Sequence, residues 1–241
     1  METPKKDRFS FPTLHLKSVL NAIIDLIYPP LCLICDLRLK KNQQEICLDC
    51  LNRFVLLGKP HAQFSVPGEI FIHKAWALFD FDESFQTLIH HLKYSRRRKA
   101  VIAVLNHYSA EILNQLPTDS IDLVISIPLH PRKLRERGYN QVDDVSKWLA
   151  RKLDTRSGSK VVQRQKYTTS QTTLNAEERF ENVRDAFRIK DKTLVHNKHI
   201  LLVDDVLTTG ATANALAQVL CESGAAEIDL LTLSTPQYGN A

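Results

Sequence analysis

The sequence predicts an α/β fold in which helices flank a mostly parallel β-sheet, with a small cysteine-rich module in front of it. Two observations predict the sheet. From Lys74 onward, strand-like and helix-like segments alternate along the chain, as they do when helices connect parallel strands. Two short runs, 121–127 and 200–203, are rich in branched aliphatic residues, as central strands buried on both faces usually are.

The length and charge of the chain set the scale of the protein. With 241 residues and 44% hydrophobic content, the chain can bury one full core and carry a small appended module. Lysine and arginine outnumber aspartate and glutamate by 32 to 27, so the formal net charge is +5. This charge permits an anionic partner without requiring one.

The first 30 residues are predicted to form an amphipathic helix that packs on the body of the protein. Apolar residues recur at helical spacing from Leu16 to Ile27. Basic residues precede this stretch, as in a secretion signal, but Asn21 and Asp25 interrupt it and no small-residue cleavage site follows. The stretch is also too short and too polar to span a membrane. We therefore expect a cytoplasmic protein that is not an integral membrane protein.

Segment 31–56 carries two Cys-x-x-Cys knuckles. Cys32 and Cys35 form the first, Cys47 and Cys50 form the second, and eleven residues separate them. In a reducing compartment such cysteines are thiols or metal ligands, and four thiolates at these spacings can close a tetrahedral site. A redox pair and an iron–sulfur cluster are the alternatives, but nothing nearby requires electron transfer. We predict a zinc-ribbon-like module whose structural zinc stabilises a segment too small for a core of its own.

The main domain is placed at 72–241, after a stretch at 57–70 that contains glycines and prolines. Its predicted elements are a strand at 75–81, a helical region at 84–116, a strand at 121–127, a helix at 140–153, a polar segment to about 179, a strand at 200–203, a helix at 211–223 and a strand at 228–233. Ligands of such sheets bind beyond the carboxyl ends of the strands. The segments 128–137 and 204–212 are therefore expected at the site.

The segment after the strand at 200–203 has the composition of a site for a phosphorylated sugar. Asp204 and Asp205 are expected just past the strand, where adjacent carboxylates can accept hydrogen bonds from a ribose diol and hold the water shell of a magnesium ion. The following threonines and Gly210 lead into a helix whose first N–H groups and dipole favour a phosphate. The alternative is an ordinary strand-to-helix turn with a capping residue. The predicted site comprises Asp204, Asp205, Thr208, Thr209, Gly210, Ala211 and Thr212.

Residues 200–212, Ile-Leu-Leu-Val-Asp-Asp-Val-Leu-Thr-Thr-Gly-Ala-Thr, resemble the phosphoribosyl-pyrophosphate signature of type I phosphoribosyltransferases. The resemblance implies a Rossmann-like domain in which Asp204 and Asp205 bind the ribose hydroxyls of phosphoribosyl pyrophosphate. The 5-phosphate would lie on 208–212. Purine-salvage members place an acid at the position of Thr208, where it serves the incoming base, so the resemblance disfavours purine salvage.

A second loop, 128–141, gathers basic groups beside this sugar site. In a phosphoribosyltransferase the equivalent loop holds pyrophosphate, whose charge must be neutralised as it leaves. We assign that role to Ser126, Ile127, Pro128, Leu129 and His130, with Arg132 and Arg135 assisting. A solvated basic turn is the alternative, and Arg135 and Arg137 could equally bind a nucleic-acid backbone.

The motif Pro-Leu-His-Pro-Arg-Lys-Leu-Arg-Glu-Arg-Gly-Tyr-Asn-Gln at 128–141 is much more specific than either loop alone, and it resembles the ComF family of competence proteins, also called the ComF/GntX group. Leu92-Lys93-Tyr94 before an arginine cluster agrees with it, and the likeness runs from about Tyr28 to Leu233. It implies a bacterial protein with a type I phosphoribosyltransferase domain behind a cysteine module. It also implies a role in the uptake of transforming single-stranded DNA, with the DNA-uptake machinery as a partner.

A dense basic cluster precedes the second predicted strand. Cations there could track phosphates while Tyr94 stacks on a base, as in sequence-tolerant binding of single strands. A solvated helix face is the alternative. The candidate nucleic-acid residues are Lys93, Tyr94, Arg96, Arg97, Arg98, Lys99, Arg132, Arg135 and Arg137.

Two functions fit these features. The first, which we favour, is a ComF-like competence protein that keeps a site for phosphoribosyl pyrophosphate and magnesium and binds single-stranded DNA. The second is a metabolic phosphoribosyltransferase that acts on a small-molecule acceptor. For neither function does the sequence identify a catalytic residue or an acceptor substrate.

Overall fold

The computed structural model describes residues 28–58, 64, 66, 68–95, 97–165 and 186–236. The predicted N-terminal helix and Arg96 lie outside the described residues. No helix in the described ranges is long and apolar enough to cross a membrane.

A five-stranded parallel sheet forms the centre of the protein. Its strands lie in the order β1-β7-β6-β2-β3, and all four pairings are parallel. A separate antiparallel ribbon pairs β4 with β5. The strands are β1 Lys74–Asp80, β2 Leu123–Ser126, β3 Arg156–Ser157, β4 Val162–Arg164, β5 Phe187–Ile189, β6 His199–Val206 and β7 Glu227–Thr235. The α/β class and the mostly parallel sheet predicted from the sequence are confirmed.

The helices lie between the strands as predicted, although several boundaries differ. The helices are α1 Leu48–Leu51, α2 Glu83–Tyr94, α3 Arg98–His107, α4 Ser109–Leu113, α5 Pro131–Arg137, α6 Asp143–Lys152 and α7 Ala211–Glu222, with a 3-10 turn at Lys192–Leu194. The helical region predicted at 84–116 is therefore three helices. The helix predicted to begin at 140 begins at Asp143.

The predicted basic loop contains a helix, α5. His130 precedes it and its Nδ1 accepts the backbone N–H of Arg132 at 3.1 Å, while Pro131 occupies the first helical position. Gly138 ends the helix with a φ of 79°. Proline needs no partner for its missing N–H at a helix start, and glycine adopts positive φ without steric cost at a helix end. Both signals are present in the sequence.

Each face of the sheet packs against its own hydrophobic layer. The β6 side chains alternate, so that Leu201 and Val203 point into one layer and Ile200 and Leu202 into the other. The first layer contains buried residues of α2, α3 and α6, and the second contains those of α7 and the β4–β5 ribbon. The sheet is thereby buried on both sides, which explains its aliphatic strands.

The cysteine segment packs into the first of these layers. Cys32, Ile46 and Phe54 are buried in the same hydrophobic cluster as Leu78 and Phe79 of β1. Backbone hydrogen bonds also join the two parts, from Leu57 N–H to the Leu78 carbonyl and from Asp80 N–H to the Val55 carbonyl. The segments 31–56 and 72–241, predicted as separate units, thus share one core.

Candidate functional site

Two adjacent carboxylates, Asp204 and Asp205, lie near the end of β6, at the carboxyl edge of the sheet. The sequence placed them beyond the strand, but β6 continues to Val206, because Asp204 and Val206 both pair with β7. Each carboxylate accepts the next backbone N–H: Asp204 Oδ1 from Asp205 and Asp205 Oδ1 from Val206, both at 2.8 Å. These short local bonds fix both side chains at the edge.

Asp205 is held by two donors from other elements. Lys93 Nζ, near the end of α2, lies 2.8 Å from Asp205 Oδ2, and Gln141 Nε2 donates to the same oxygen at 2.8 Å. Burial opposes ionisation of Asp205, but the charge of Lys93 and these hydrogen bonds outweigh burial and lower the pKa of this carboxyl. Asp205 is therefore an anion fixed in position.

The pKa of Asp204 is shifted in the opposite direction from that of Asp205. Burial and the neighbouring Asp205 charge raise the pKa of Asp204 to about 7, against the opposing effects of Lys93 and Arg164. Two carboxylates so close together cannot both ionise easily. Near neutral pH, Asp204 can therefore either accept or donate a hydrogen bond at the site.

The loop between β6 and α7 forms a small cradle. A cavity of about 90 Å³ is lined by Asp204, the segment 206–213, Leu230 and Thr232. Gly210 immediately precedes α7 with φ 80° and ψ 0°, a conformation that glycine adopts without strain. The first residues of the twelve-residue helix α7 line the cavity, and a helix N-terminus favours a bound phosphate.

The loop after β2 lies beside this cradle because β2 pairs with β6. Ser126 is the register partner of Val203, and Ile127 N–H donates to the carbonyl of Val203 at 2.9 Å. Ser126 is buried and its Oγ donates to Asp143 Oδ1 at 2.6 Å, while Asn140 Nδ2 donates to the Ile127 carbonyl at 3.0 Å. The segment 126–130 is thus fixed next to the Asp204–Asp205 edge.

Cationic side chains from separate parts of the chain converge on this edge. Burial lowers the pKa of Lys133, and the nearby charges of Arg137, Arg164 and Lys93 lower it further. Arg164 of β4 is also within electrostatic range of Asp204. The site therefore combines two carboxylates with four cations, a charge balance suited to a polyanionic ligand.

Several of the predicted nucleic-acid residues form ion pairs. Lys93 is paired with Asp205, Arg97 with Glu45 at 2.9 Å, and Arg132 with Glu136 at 3.1 Å. Arg98 binds Asp144 through two hydrogen bonds of 2.6 Å. Lys99 and Arg135 are exposed. The cluster is thus partly a set of ion pairs, and not one open cationic stripe.

Tyr94 lies at the rim of the site, at the end of α2. Its side chain is 68% exposed, and the guanidinium of Arg137 lies 5.9 Å from its ring centroid. The hydroxyl of Tyr139 donates to the carbonyl of Leu92 and ties the segment after α5 to the same helix end. An aromatic face and a cation consequently stand next to the Lys93–Asp205 pair.

The sequence reasoning missed three residues of the site: Gln141, Lys133 and Arg164. Gln141 and Lys133 lie inside the motif at 128–141, so their proximity to the site was available from the sequence. Arg164 lies on the separate β4–β5 ribbon, and no spacing in the sequence connects it with Asp204.

The four predicted metal ligands come together in the cysteine segment. The sulfur atoms of Cys32, Cys35, Cys47 and Cys50 all lie within 4.8 Å of one another. Cys35 Sγ and Cys47 Sγ are 3.7 Å apart, which matches the edge of about 3.8 Å of a tetrahedron with 2.3 Å zinc–sulfur bonds. Burial disfavours the thiolate of Cys32, but N–H groups of Cys47, Cys35 and Ile34 hold its pKa at about 7. This cluster can hold a metal such as zinc.

Comparison with known proteins identifies the relatives of this chain. A family model described as a phosphoribosyl transferase domain matches residues 137–238. The chain is 32% identical over 212 residues to the DNA utilization protein YhgH of Escherichia coli, covering 84% of this chain and 89% of that protein. It is 36% identical over 114 residues to Competence protein F of Haemophilus influenzae, covering 47% of this chain and 50% of that protein. The chain belongs to the ComF family.

This ComF-family chain is also similar to Competence protein ComFC of Bacillus subtilis, at 22% identity over 245 residues, covering 86% of this chain and 95% of that protein. Among solved structures, a phosphoribosylpyrophosphate synthetase from Mycobacterium smegmatis matches with a TM-score of 0.29 and 16% identity, covering 54% of this chain and 30% of that chain. So low a TM-score carries no argument about function. The phosphoribosyltransferase domain of this ComF member is shown by the family model and agrees with the parallel sheet.

Proposed function

We propose that this ComF-family protein binds phosphoribosyl pyrophosphate with magnesium and acts in the uptake of transforming single-stranded DNA. The observation that carries the proposal is the carboxyl edge of β6. There Asp204 and Asp205 lie next to the loop that precedes α7, with four basic side chains nearby. These are Lys93, Lys133, Arg137 and Arg164. The phosphoribosyltransferase domain of the family agrees with a ribose-phosphate ligand.

Each part of the donor has a matching group at this edge. The ribose hydroxyls would hydrogen-bond to Asp204 and Asp205, whose positions are fixed by backbone N–H groups. The 5-phosphate would lie in the cradle at 208–212, at the start of α7, where the helix dipole favours an anion. The pyrophosphate would lie along 126–130, within reach of the converging cations.

The carboxylates also fit a magnesium ion. Oxygen donors are the ligands that magnesium prefers, usually through retained waters. Asp205 is already held by Lys93 and Gln141, so Asp204 is the residue that would hold the water shell. Magnesium would neutralise the diphosphate charge when it is bound with the donor. The protein itself supplies the orientation of the sugar and the cations around the leaving group.

The DNA role rests on the rim of the same site. Relatives of this chain are named for DNA utilization and for competence. Tyr94 offers an exposed ring on which a base can stack, and Arg137 beside it can contact a phosphate. Lys99 and Arg135 add exposed charge. A single strand crossing this rim would pass next to the donor site.

The donor site is tested by calorimetric titration with phosphoribosyl pyrophosphate and magnesium, followed by pyrophosphate release with and without single-stranded DNA. We expect binding by the wild-type protein and a loss of at least tenfold in Asp204→Asn. The matched control is Asp119→Asn, an exposed carboxylate in the turn before β2, which should bind as the wild type does.

Equal affinity in Asp204→Asn and wild type would overturn the donor site. Release that needs only a small-molecule acceptor and ignores DNA would favour the metabolic phosphoribosyltransferase. Binding without release in any condition would support a competence protein that senses the donor without turning it over.

The DNA rim is tested by fluorescence anisotropy with an oligodeoxythymidine at several salt concentrations. Tyr94→Ala should weaken binding about fivefold or more, because stacking contributes roughly 1–3 kcal/mol per base. Arg135→Gln should lower the salt dependence, whereas Lys192→Gln, an exposed charge in the 3-10 turn, should not. Affinity that is insensitive to salt and to both rim substitutions would contradict this assignment.

A further inference from the structure

A second cluster of ionisable side chains lies at the amino-terminal edge of the sheet, opposite the Asp204–Asp205 edge. β6 begins at His199 and β7 begins at Glu227, and these two residues are register partners. His73 directly precedes β1, and its N–H donates to the Ile228 carbonyl at 2.8 Å. Three adjacent strands thus bring two imidazoles together with the carboxylates of Glu227 and Asp229.

Three of these side chains lie at separations typical of metal ligands. His73 Nδ1 is 2.7 Å from Glu227 Oε1 and 3.7 Å from Asp229 Oδ1. The ligand atoms of all three residues lie within 4.8 Å of one another. Bonds of 2.0–2.2 Å in a tetrahedral site place neighbouring ligand atoms about 3.3–3.6 Å apart. The 3.7 Å pair is close to that separation, and the 2.7 Å pair is a hydrogen-bonded contact that a bound metal ion would replace.

Asp229 distinguishes this cluster from an exposed acidic patch. Its side chain has no solvent exposure, and its Oδ1 accepts the backbone N–H of Lys74 at 2.9 Å. His199 Nε2 lies 2.9 Å from Asp229 Oδ2, and His199 Nδ1 lies 3.0 Å from Ser120 Oγ. Contacts to both oxygens therefore fix the orientation of the Asp229 carboxylate.

Among the described residues, no lysine or arginine forms an ion pair with the carboxylates of the cluster. A buried carboxylate needs a compensating charge or complete hydrogen bonding. Over the described ranges, Glu227 and Asp229 form ion pairs only with the two imidazoles, and the nearby Lys198 pairs with Asp122 at 3.1 Å. The two carboxylates are therefore not already committed to a lysine or arginine, and a divalent cation can bind between them and His73.

We propose that His73, Glu227 and Asp229 bind a first-row divalent metal ion, and that His199 acts as a positioning residue for Asp229. One imidazole and two carboxylates form a harder ligand set than four thiolates, so manganese and zinc both fit it. His73 and Glu227 are 52% and 41% exposed, which leaves a route from solvent and positions for water ligands. Carboxylates that bind a metal ion are usually hydrogen-bonded to a second residue, as Asp229 is to His199.

The test is a calorimetric titration of manganese into the full-length protein after the cysteine cluster has been loaded with zinc. We expect one equivalent that depends on His73, with affinity reduced at least tenfold in His73→Ala and in Glu227→Gln. His196→Ala is the matched control, because His196 is exposed in the same part of the molecule, next to Gly224, and is not in the cluster. It should bind manganese as the wild type does.

Manganese can also replace magnesium beside Asp204, so the titration is repeated in Asp204→Asn. The His73-dependent equivalent should persist there, which keeps this proposal separate from the proposed function. His199→Ala should lower the affinity about tenfold, and His199→Gln, which keeps an N–H donor, should restore part of it.

Two results would overturn the proposal. One is a wild-type protein that takes up no manganese beyond the equivalent lost in Asp204→Asn. The other is a His73→Ala variant, folded with wild-type circular dichroism and Tm, that binds as tightly as the wild type. His73 is exposed, so its loss should leave the fold intact and both results can be read.

Discussion

Asp204 and Asp205 are neighbours in one strand, yet they differ in charge near neutral pH. Lys93 and Gln141 stabilise the anion of Asp205, whose pKa is lowered. Asp204 is half-buried beside that anion, and desolvation of its carboxyl together with the charge of Asp205 raises its pKa to about 7. The asymmetry arises from position alone, because the side chains are chemically identical. It assigns the permanent negative charge to Asp205 and the switchable one to Asp204.

This asymmetry predicts how stability depends on pH. The folded-state pKa of Asp204 lies above the unfolded value of about 3.9, so the native state binds more protons and stability falls as pH rises from about 4 through 7. Asp204→Asn removes the ionisation. We expect the variant to gain at least about 1 kcal/mol over wild type at pH 8, roughly 2–4 °C in Tm, and less at pH 5.

Thermal melts at both pH values check this prediction. Asp119→Asn is the control, since it changes an exposed carboxylate in a turn and should show the same difference from wild type at either pH. An Asp204→Asn variant that is less stable than wild type at pH 8 would contradict the raised pKa.

At the scale of the element, the strand-to-helix junction depends on one glycine. Gly210 has a φ of 80°, and a Cβ at this position would meet the ring of Phe64. We expect Gly210→Ala to lower the free energy of unfolding by about 1–2 kcal/mol, because a left-handed conformation costs an alanine roughly that much. It should also weaken donor binding by tilting the first turn of α7.

Urea denaturation measures this cost. Gly58→Ala serves as the matched control, because nothing lies within 4 Å of a Cβ there and its φ is not in the left-handed region. Equal stability of the two alanine variants would show that the junction tolerates a side chain and that the phosphate cradle is not built on Gly210.

The sequence was most informative where one element carries the signal. The alternation of strands and helices predicted the sheet, and the residues at 204–212 were predicted together because they are contiguous. The helix α5 was missed although Pro131 and Gly138 mark its two ends, since the basic composition of that segment suggested a loop. The break between α2 and α3 was missed because the polar segment 95–99 contains no proline or glycine to mark it.

The remaining features needed the sheet itself. Arg164 lies within electrostatic range of Asp204 although its ribbon is distant in the sequence, and His73 meets Asp229 across 155 intervening positions that no periodicity links. Such contacts follow from strand order, which depends on tertiary packing and not on local pattern. Groups of residues that are contiguous in the sequence could therefore be predicted, whereas their contacts with residues distant in the sequence could not.

At the scale of the whole molecule, the cysteine segment and the main sheet stabilise each other. Cys32, Cys47 and Cys50 are buried in the layer that also covers β1, and Arg97 pairs with Glu45 across the same junction. Unfolding of the cysteine segment would expose part of the sheet. We therefore expect the protein to unfold in one cooperative transition.

The coupling is tested together with the prediction that the four cysteines bind zinc. A chelator, or Cys50→Ser, should lower the single Tm by roughly 10 °C or more, because structural zinc contributes much of the folding energy of small sites. Cys221→Ser changes an exposed cysteine outside the cluster and should leave the Tm in place. Two separate calorimetric transitions, or a Tm that ignores the chelator, would contradict the shared core.

The burial of the cysteines among core side chains also bears on how such a chain can change over generations. Cys32 and Cys50 are almost without solvent exposure and contribute packing volume as well as sulfur. A recombination breakpoint between the two parts would cut through a hydrophobic layer, and loss of one thiol would leave a void as well as an incomplete ligand set. Replacement would then require coordinated substitution of several buried positions. We therefore expect that exchange of the cysteine segment alone for that of a relative would destabilise the protein.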